Sequence, residues 1–228
     1  LPDGNQSPSA LKVNLDVART SSHGTSGSDQ PNFTASQAIR TSAFWLITFG
    51  HAFNTILFAT LTVHLVPMLT DQGLSLQSSA NVFSVMMGVA AVFQLIGGYA
   101  GDRMETRVAV AVFGFIQAAG FTLAVFAQSM PVAILFAVLF GAGFGGRNPL
   151  TVAIRAEYFG PNAFATITGI SSAPMYLFML AAPLFAAFIF DTQGSYMIAW
   201  LILGALGSMS GVFFLFAKKP LQPGLPII

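Results

Sequence analysis

Residues 97–107 read GGYAGDRMETR and form a short charged segment between two long uncharged runs of sequence. The uncharged runs cover residues 72–101 before its first charge and residues 108–146 after its last. Three further uncharged runs cover 41–70, 158–190 and 192–217. Each run exceeds the roughly 20 residues with which a helix spans a hydrocarbon core about 30 Å thick. The charged segment is therefore predicted to connect two membrane spans.

The composition of the 228-residue chain indicates an integral membrane protein. Hydrophobic residues make up 54% of the chain and charged residues 7%, whereas soluble domains carry about 25% charged residues. The net charge is +1, so the chain lacks the basic surface that nucleic-acid binding requires. The chain has no cysteine, and its three histidines show no metal-binding spacing. We expect no metal, no cofactor and no nucleic-acid partner.

The longest uncharged run divides at a turn signal, Gln128-Ser129-Met130-Pro131. This division gives six spans, near 43–69, 79–101, 107–127, 131–154, 163–190 and 195–217. Continuous apolar runs predict helices, because strands of a membrane barrel alternate over about ten residues. We therefore predict an all-α fold, a polytopic membrane protein with a six-transmembrane-helix bundle over 41–217.

The two ends of the chain are predicted to lie outside the bundle. Residues 1–40 are polar and predict a flexible cytoplasmic linker or tail, and residues 218–228 predict a cytoplasmic C-terminal tail. Because the chain begins with Leu1, we expect a fragment or a processed product.

Basic residues predict which side of the membrane each loop faces. If the linker is cytoplasmic, that face carries eight basic residues, and the opposite loops carry none. The eight are Lys12, Arg19, Arg40, Arg103, Arg107, Arg155, Lys218 and Lys219. We expect a multi-pass protein of the cell membrane, surrounded by the lipid bilayer, with both termini in the cytoplasm.

The segment 97–107 resembles the signature loop of the major facilitator superfamily, G-x-x-x-D-R-x-G-R-[KR], which lies between the second and third helices of a six-helix half. Four positions match it, Gly98, Asp102, Arg103 and Arg107, whereas Glu105 and Thr106 depart from it. The resemblance implies a conformational latch, in which the Asp meets a helix N-terminus and the basic residues bridge to the other half. A plainer interpretation is that the arginines only follow the positive-inside rule.

Residues 64–73 and 157–169 are similar to helix ends of the monocarboxylate and oxalate/formate porter branch of that superfamily. The resemblance covers about 41–217 and implies the C-terminal half of a twelve-helix transporter. The implied partners are an N-terminal six-helix half, in the same native chain or another, and a small-molecule solute. Unlike that branch, the second and fifth spans here hold no Lys or Arg with which to bind a substrate.

We expect a secondary transporter that moves a small solute by alternating access, driven by an ion gradient or by exchange. The resemblance points to a monocarboxylate or similar organic anion. Two alternatives stay open: hydrophobic drug efflux, and a non-transporting half-module that regulates or scaffolds a partner. No span holds Asp, Glu or Cys away from its ends, so we do not expect an enzyme.

Four residues inside the spans are candidates for substrate binding. Arg147 lies in the fourth span, where a central charge costs roughly 2.5–3.5 kcal/mol on insertion scales. It either binds an anionic substrate, or snorkels to the cytoplasmic interface or pairs with Glu157. His51 and Asn54 belong to a polar stripe on one face of the first span, which also includes Thr55, Phe58 and Thr62. His51 is a candidate to bind substrate or carry a proton, with a packing role as the alternative. Tyr176 lies in the fifth span.

Residues 141–146 read GAGFGG and satisfy the nucleotide-binding pattern G-x-G-x-x-G. That pattern requires a preceding strand and an acidic residue about 20 positions on, and this chain offers neither. Inside a membrane span, small residues instead predict close helix packing, a deformable helix, or both.

Overall fold

A computed structural model describes residues 31–221; the predicted linker before residue 31 and the tail after residue 221 lie outside the described residues. One short helix, α1 (Ala35–Ile39), precedes six long ones. The long helices are α2 (Ser42–Asp71), α3 (Leu76–Gly101), α4 (Thr106–Ala124), α5 (Met130–Phe159), α6 (Phe164–Gln193) and α7 (Met197–Phe216). All six are long and apolar enough to cross a membrane. The predicted all-α, six-helix membrane fold is confirmed.

Local sequence signals set several of the helix ends. Thr41 and Ser75 cap α2 and α3, because each hydroxyl accepts a hydrogen bond from the backbone N–H three residues on. Gly194 ends α6 in the left-handed conformation, with φ of 67°. Helix α5 continues through Pro149 to Phe159, beyond its predicted end at residue 154. That extra length adds more than one helical turn and changes the position of Arg155 relative to the bundle.

Residues 32–40, which the sequence assigned to the linker, include packed residues and the short helix α1. Phe33 is 2% exposed, and its ring packs edge to face against that of Phe159, with centroids 5.8 Å apart. Thr34 and Gln37 form a capping box at the start of α1. Phe33 therefore packs against the end of α5, and α1 contacts α2 and α6. The sequence did not predict this, because one phenylalanine in a polar segment gives no periodic pattern.

Contacts between the helices follow a pseudo-twofold pattern. Helix α5 packs on α3 and α4, α2 packs correspondingly on α6 and α7, and α4 packs on α7. Exchange of the triplet α2–α4 with the triplet α5–α7 leaves this pattern unchanged. Because each triplet has an odd number of helices, the two triplets are inverted relative to each other in the membrane. The first helices of the triplets meet where the rings of Phe58 and Phe144 stack 4.4 Å apart.

Small residues allow α5 to approach α3 and α4 closely. A Cβ atom on Gly97 of α3 would overlap the backbone of Gly146 on α5. A Cβ atom on Gly143 of α5 would likewise overlap the backbone of Gln117 on α4. The close packing predicted for residues 141–146 is confirmed, since this segment lies in the middle of α5 against two neighbours. Residues 141–146 are preceded by helix rather than by a strand, so the nucleotide-binding interpretation does not apply.

The loops lie at two ends of the bundle, which we name the basic end and the opposite end. The basic end comprises the start of α2, the end of α7 and the loops between α3 and α4 and between α5 and α6. The opposite end comprises the other three loops, 72–75, 125–129 and 194–196, which contain no Lys or Arg.

Candidate functional site

Arg147 lies near the middle of α5 and is 1% exposed. Its Nε donates a hydrogen bond to Oε1 of Gln117, 3.0 Å away. Gln117 in turn donates from Nε2 to the backbone oxygen of Asn54, 3.1 Å away. The guanidinium lies over the ring of Phe144, 6.0 Å from the centroid. Its Nη1 is buried and has no hydrogen-bond partner among residues 31–221.

Neither plainer explanation for Arg147 agrees with the structure. About 18 Å of helix separates Arg147 from Phe159 at the basic end, at 1.5 Å per residue. The side chain is therefore too deep to snorkel to that interface, and its burial agrees with this depth. Glu157 is exposed close to that end and forms no ion pair with Arg147. The charge of Arg147 lies inside the bundle with neutral partners.

Arg155 is a second buried cation on α5 and is 3% exposed. Its Nη1 donates to the backbone oxygen of Thr151 at 2.8 Å, and its Nη2 donates to Nδ1 of His51 at 2.8 Å. Nε and Nη2 also donate to the hydroxyl of Ser171 on α6, at 3.3 and 3.1 Å. That hydroxyl is also hydrogen-bonded to Thr48 on α2, at 2.9 Å. Arg155 thus links three helices.

Arg155, which the sequence placed on the cytoplasmic face beyond the fourth span, belongs to α5 and lies inside the bundle. The fourth span was predicted to end at residue 154, which left Arg155 just outside the span. The spacing between Arg147 and Arg155 could have indicated that Arg155 lies inside the bundle. Eight residues are slightly more than two helical turns, which places both side chains toward the same side of a continuous helix.

The predicted polar stripe on α2 divides into two parts. Asn54 is buried; it donates to the hydroxyl of Ser210 on α7, which donates to the backbone oxygen of Gly50 at 2.5 Å. Thr55 and Thr62 instead donate to backbone oxygens of their own helix, and Thr62 is exposed. Only part of the stripe, with His51 and Asn54, therefore faces the polar interior.

Tyr176 is not part of this network in the described half. Its side chain is 63% exposed on α6, and no hydrogen bond joins it to the polar residues above. Helix α6 contributes Ser171 instead, through its hydrogen bonds with Arg155 and Thr48.

Neither buried guanidinium is paired with a carboxylate. Among residues 31–221, the one ion pair joins Arg107 Nε to Glu105 Oε1 at 2.6 Å, in the loop region of the basic end. The acidic residues of the long helices lie near helix ends, at Asp71, Glu157 and Asp191. The two cations therefore carry positive charge into the bundle without an internal counter-ion.

The loop between α3 and α4 holds the residues assigned to a conformational latch. Arg103 lies over the ring of Tyr99, 4.8 Å from the centroid. Arg107 pairs with Glu105, the residue that departs from the family pattern, and also donates to the backbone oxygen of Leu215 at 3.4 Å. In the described part of the chain, both basic side chains therefore contact the half to which they belong.

Asp102 is exposed and lines a cleft of about 350 Å³ between α3 and α5, together with Gly98 and Glu157. Asp102 is the C-cap residue of α3, and within residues 31–221 its side chain accepts no hydrogen bond from a helix N-terminus. The N-cap of the next helix is Glu105, which makes no side-chain capping bond. The latch role of Asp102 stays a prediction.

Comparison with known proteins gives a consistent family relationship. The sequence matches the family described as the Major Facilitator Superfamily over residues 44–226. It is 23% identical over 175 residues to monocarboxylate transporter 2 of Mesocricetus auratus and 26% identical over 166 residues to monocarboxylate transporter 12 of Rattus norvegicus. These alignments cover 75% and 69% of this chain but 36% and 33% of the relatives. The chain thus spans about a third of their length.

Solved structures share the fold. One is an in meso crystal structure of the POT family transporter PepTSo, with a TM-score of 0.64. Another is the crystal structure of an autoinhibited POT family peptide transporter, with a TM-score of 0.67. Both are 20% identical in sequence to this chain, and the matches cover 82% of it and 39% of each of those chains. At this identity the likeness concerns the fold alone.

Proposed function

Because this chain is a multi-pass membrane protein of the Major Facilitator Superfamily, we propose that it is a transporter, or part of one, and that it moves a small organic anion. The expected solute is a monocarboxylate, as in the names of its relatives. The observation that carries this proposal is the burial of Arg147 and Arg155 without a carboxylate partner among the described residues.

A buried, unpaired charge in a membrane protein requires a reason. Ionisable residues inside membrane spans are costly, so they occur mainly where they pair or where they bind a solute or ion. An arginine presents several N–H donors in a plane that matches the two oxygens of a carboxylate. Arg147 retains such a donor, because its buried Nη1 has no protein partner in residues 31–221. A carboxylate solute would supply both the missing acceptor and the missing negative charge.

The two cations also mark a direction through the bundle. Eight residues of α5 separate them, which corresponds to about 12 Å along the helix axis. Arg155 lies nearer the basic end, and Arg147 lies near the middle of the helix, at the depth where transporters of this type hold their substrates. An anion attracted from the basic end would meet Arg155 first and Arg147 second.

Alternating access requires a second group of helices that encloses the solute path from the other side. We assign that wall to a second six-helix half, in the same native chain or in a partner, because the relatives are much longer than this chain. In this proposal the basic end faces the cytoplasm of a cell-membrane protein, as the positive-inside rule predicts. There the loop 97–107 would act as the latch between the halves. An ion gradient or solute exchange would drive the transport.

The direct test is transport by the purified native protein in liposomes. We expect uptake of labelled pyruvate above that of protein-free vesicles, with inhibition by unlabelled lactate. Transport of a hydrophobic cation such as tetraphenylphosphonium, without pyruvate uptake, would favour drug efflux instead. If neither compound moved, a regulatory or scaffolding module would become the better description.

A further inference from the structure

We propose that this bundle binds one anionic phospholipid at a fixed position, with an acyl chain in an apolar cavity between α6 and α7 and the headgroup at Lys218 and Lys219. Neither the cavity nor the two lysines belong to the polar network or to the loop 97–107. The ligand is a lipid of the surrounding bilayer, so the inference does not depend on which solute the protein moves.

The cavity has a volume of about 220 Å³ and opens at the surface of the bundle between α6 and α7. Its floor is buried and consists of Ile56, Ala182 and Leu203, one residue from each of α2, α6 and α7. Its more exposed rim includes Phe178, Ala181 and Leu206. All of the lining side chains are apolar, so the cavity offers its ligand a hydrocarbon surface.

The packing of α7 leaves this gap open. Helices α6 and α7 contact each other at few points, whereas both pack extensively on α2. A Cβ atom on Gly204 would overlap the side chain of Thr122 on α4, and one on Gly207 would overlap that of Leu57 on α2. Helix α7 therefore lies close to α4 and α2 rather than to α6. On the α6 side the small side chain of Ala181 leaves further space.

The depth of the cavity indicates that its ligand is an acyl chain. Leu206 precedes the end of α7 at Phe216 by ten residues, which is about 15 Å along the helix. This distance is half of a hydrocarbon core about 30 Å thick. A lipid with its headgroup at the basic end would therefore have the end of its chain at the cavity. Water does not fill an apolar cavity of this kind, whereas the bilayer supplies hydrocarbon at the same depth.

One face of α7 connects the cavity with the basic end. Ile202 and Leu206 line the cavity. Residues at helical spacing continue this face: Met209, Phe213 and Phe216. The ring of Phe213 packs against Phe53 of α2, with centroids 5.7 Å apart, and Phe53 packs edge to face against Phe178 of the cavity rim, at 5.8 Å. An apolar path thus extends from the cavity to the last turn of α7.

Two positive charges lie where this path ends. Lys218 and Lys219 follow the last turn of α7, and both are exposed. Arg107, which donates to the backbone oxygen of Leu215 at the same place, is already paired with Glu105. Among residues 31–221 neither lysine forms an ion pair. Basic residues next to a membrane span attract anionic lipids, so the lysines favour an anionic headgroup over a zwitterionic one.

The test counts the lipids that bind to the native protein, by native mass spectrometry after delipidation in detergent. The probe is palmitoyl-oleoyl phosphatidylglycerol. We expect one molecule to bind at least about tenfold more tightly than phosphatidylcholine with the same chains, because two lysines contribute. Lys218→Gln combined with Lys219→Gln should remove most of this difference. Lys218→Arg combined with Lys219→Arg should retain it, because arginine keeps the charge.

A second comparison tests the acyl chain. Ala181→Leu places a larger side chain in the cavity and should weaken binding of the palmitoyl-oleoyl lipid by about tenfold, because a few buried methylene groups are lost. Dioctanoyl phosphatidylglycerol has chains that reach only about half as far into the bilayer. Its binding should therefore be the same in Ala181→Leu and in the unmodified protein. Ala173→Leu makes the same change at an exposed position of α6 outside the cavity and should bind both lipids normally.

Two results would overturn this inference: equal affinity for phosphatidylglycerol and phosphatidylcholine, or undiminished binding of the palmitoyl-oleoyl lipid by Ala181→Leu. If Ala181→Leu lowered the midpoint of thermal unfolding without changing lipid binding, the cavity would be covered by the second six-helix half or by another copy of the chain, and not by lipid. Each of these outcomes is measured without a solute, so the proposed function would stand.

Discussion

Oε1 of Gln117 accepts a hydrogen bond from Nε of Arg147 across 3.0 Å, deep between α4 and α5. The partner is an amide, so it orients the guanidinium without neutralising it. The same amide donates to the backbone of α2, which fixes its own position. A carboxylate at this place would form an internal ion pair and remove the charge that we assign to solute binding.

The first prediction is that Gln117→Glu reduces the initial rate of pyruvate uptake by about tenfold or more, since an ion pair with Arg147 would compete with the solute. Uptake into liposomes at matched protein content measures this. Gln77→Glu makes the same chemical change at an exposed position near the start of α3 and should leave uptake unchanged. Equal rates for both variants would show that Arg147 does not need its free charge.

The second prediction concerns Arg147 itself. Arg147→Gln should abolish or greatly weaken uptake while the midpoint of thermal unfolding stays the same or rises, because the change removes a buried, unpaired cation. Arg40→Gln, at an exposed position before α2, is the control for loss of one positive charge. Unchanged uptake in Arg147→Gln would exclude Arg147 as a solute ligand. A marked loss of stability would indicate a structural role.

The third prediction tests the close approach of α4 and α5. Gly143→Ala should destabilise the protein by about 1–3 kcal/mol, because its Cβ would overlap the backbone of Gln117. Gly169→Ala adds the same methyl group in open space on α6 and should have little effect. Thermal unfolding in detergent compares the two. Similar stability for both variants would mean that α4 can shift without cost.

The fourth prediction concerns the loop at the basic end. Asp102→Asn should slow turnover more than it weakens pyruvate binding, because a latch acts on the change of conformation rather than on the solute. Asp71→Asn, an equally conservative change at the opposite end, should affect neither quantity. Parallel measurements of uptake rate and equilibrium binding separate these effects. If expression and binding fell together in Asp102→Asn, its role would be structural.

Only part of the polar network was accessible from the sequence. Arg147 was identifiable because a charge inside an apolar run is a local feature. Gln117 was not, because a glutamine within a span gives no sign of which neighbour it meets. The contact of Arg155 with His51 joins residues 104 positions apart, and it depends on α5 continuing past its predicted end. Tyr176 lies outside this network, because its side chain is on an exposed face of α6, and its role in substrate binding stays a prediction.

The sequence by itself determined the class of protein, the six membrane spans and the loop that resembles a family signature, because hydropathy and charge along a chain control insertion locally. The tertiary structure decided which polar side chains share one interior. That outcome depends on the close approach of α2, α4, α5, α6 and α7, which glycines such as Gly143 permit. The approach brings residues from distant parts of the chain within hydrogen-bond distance of one another.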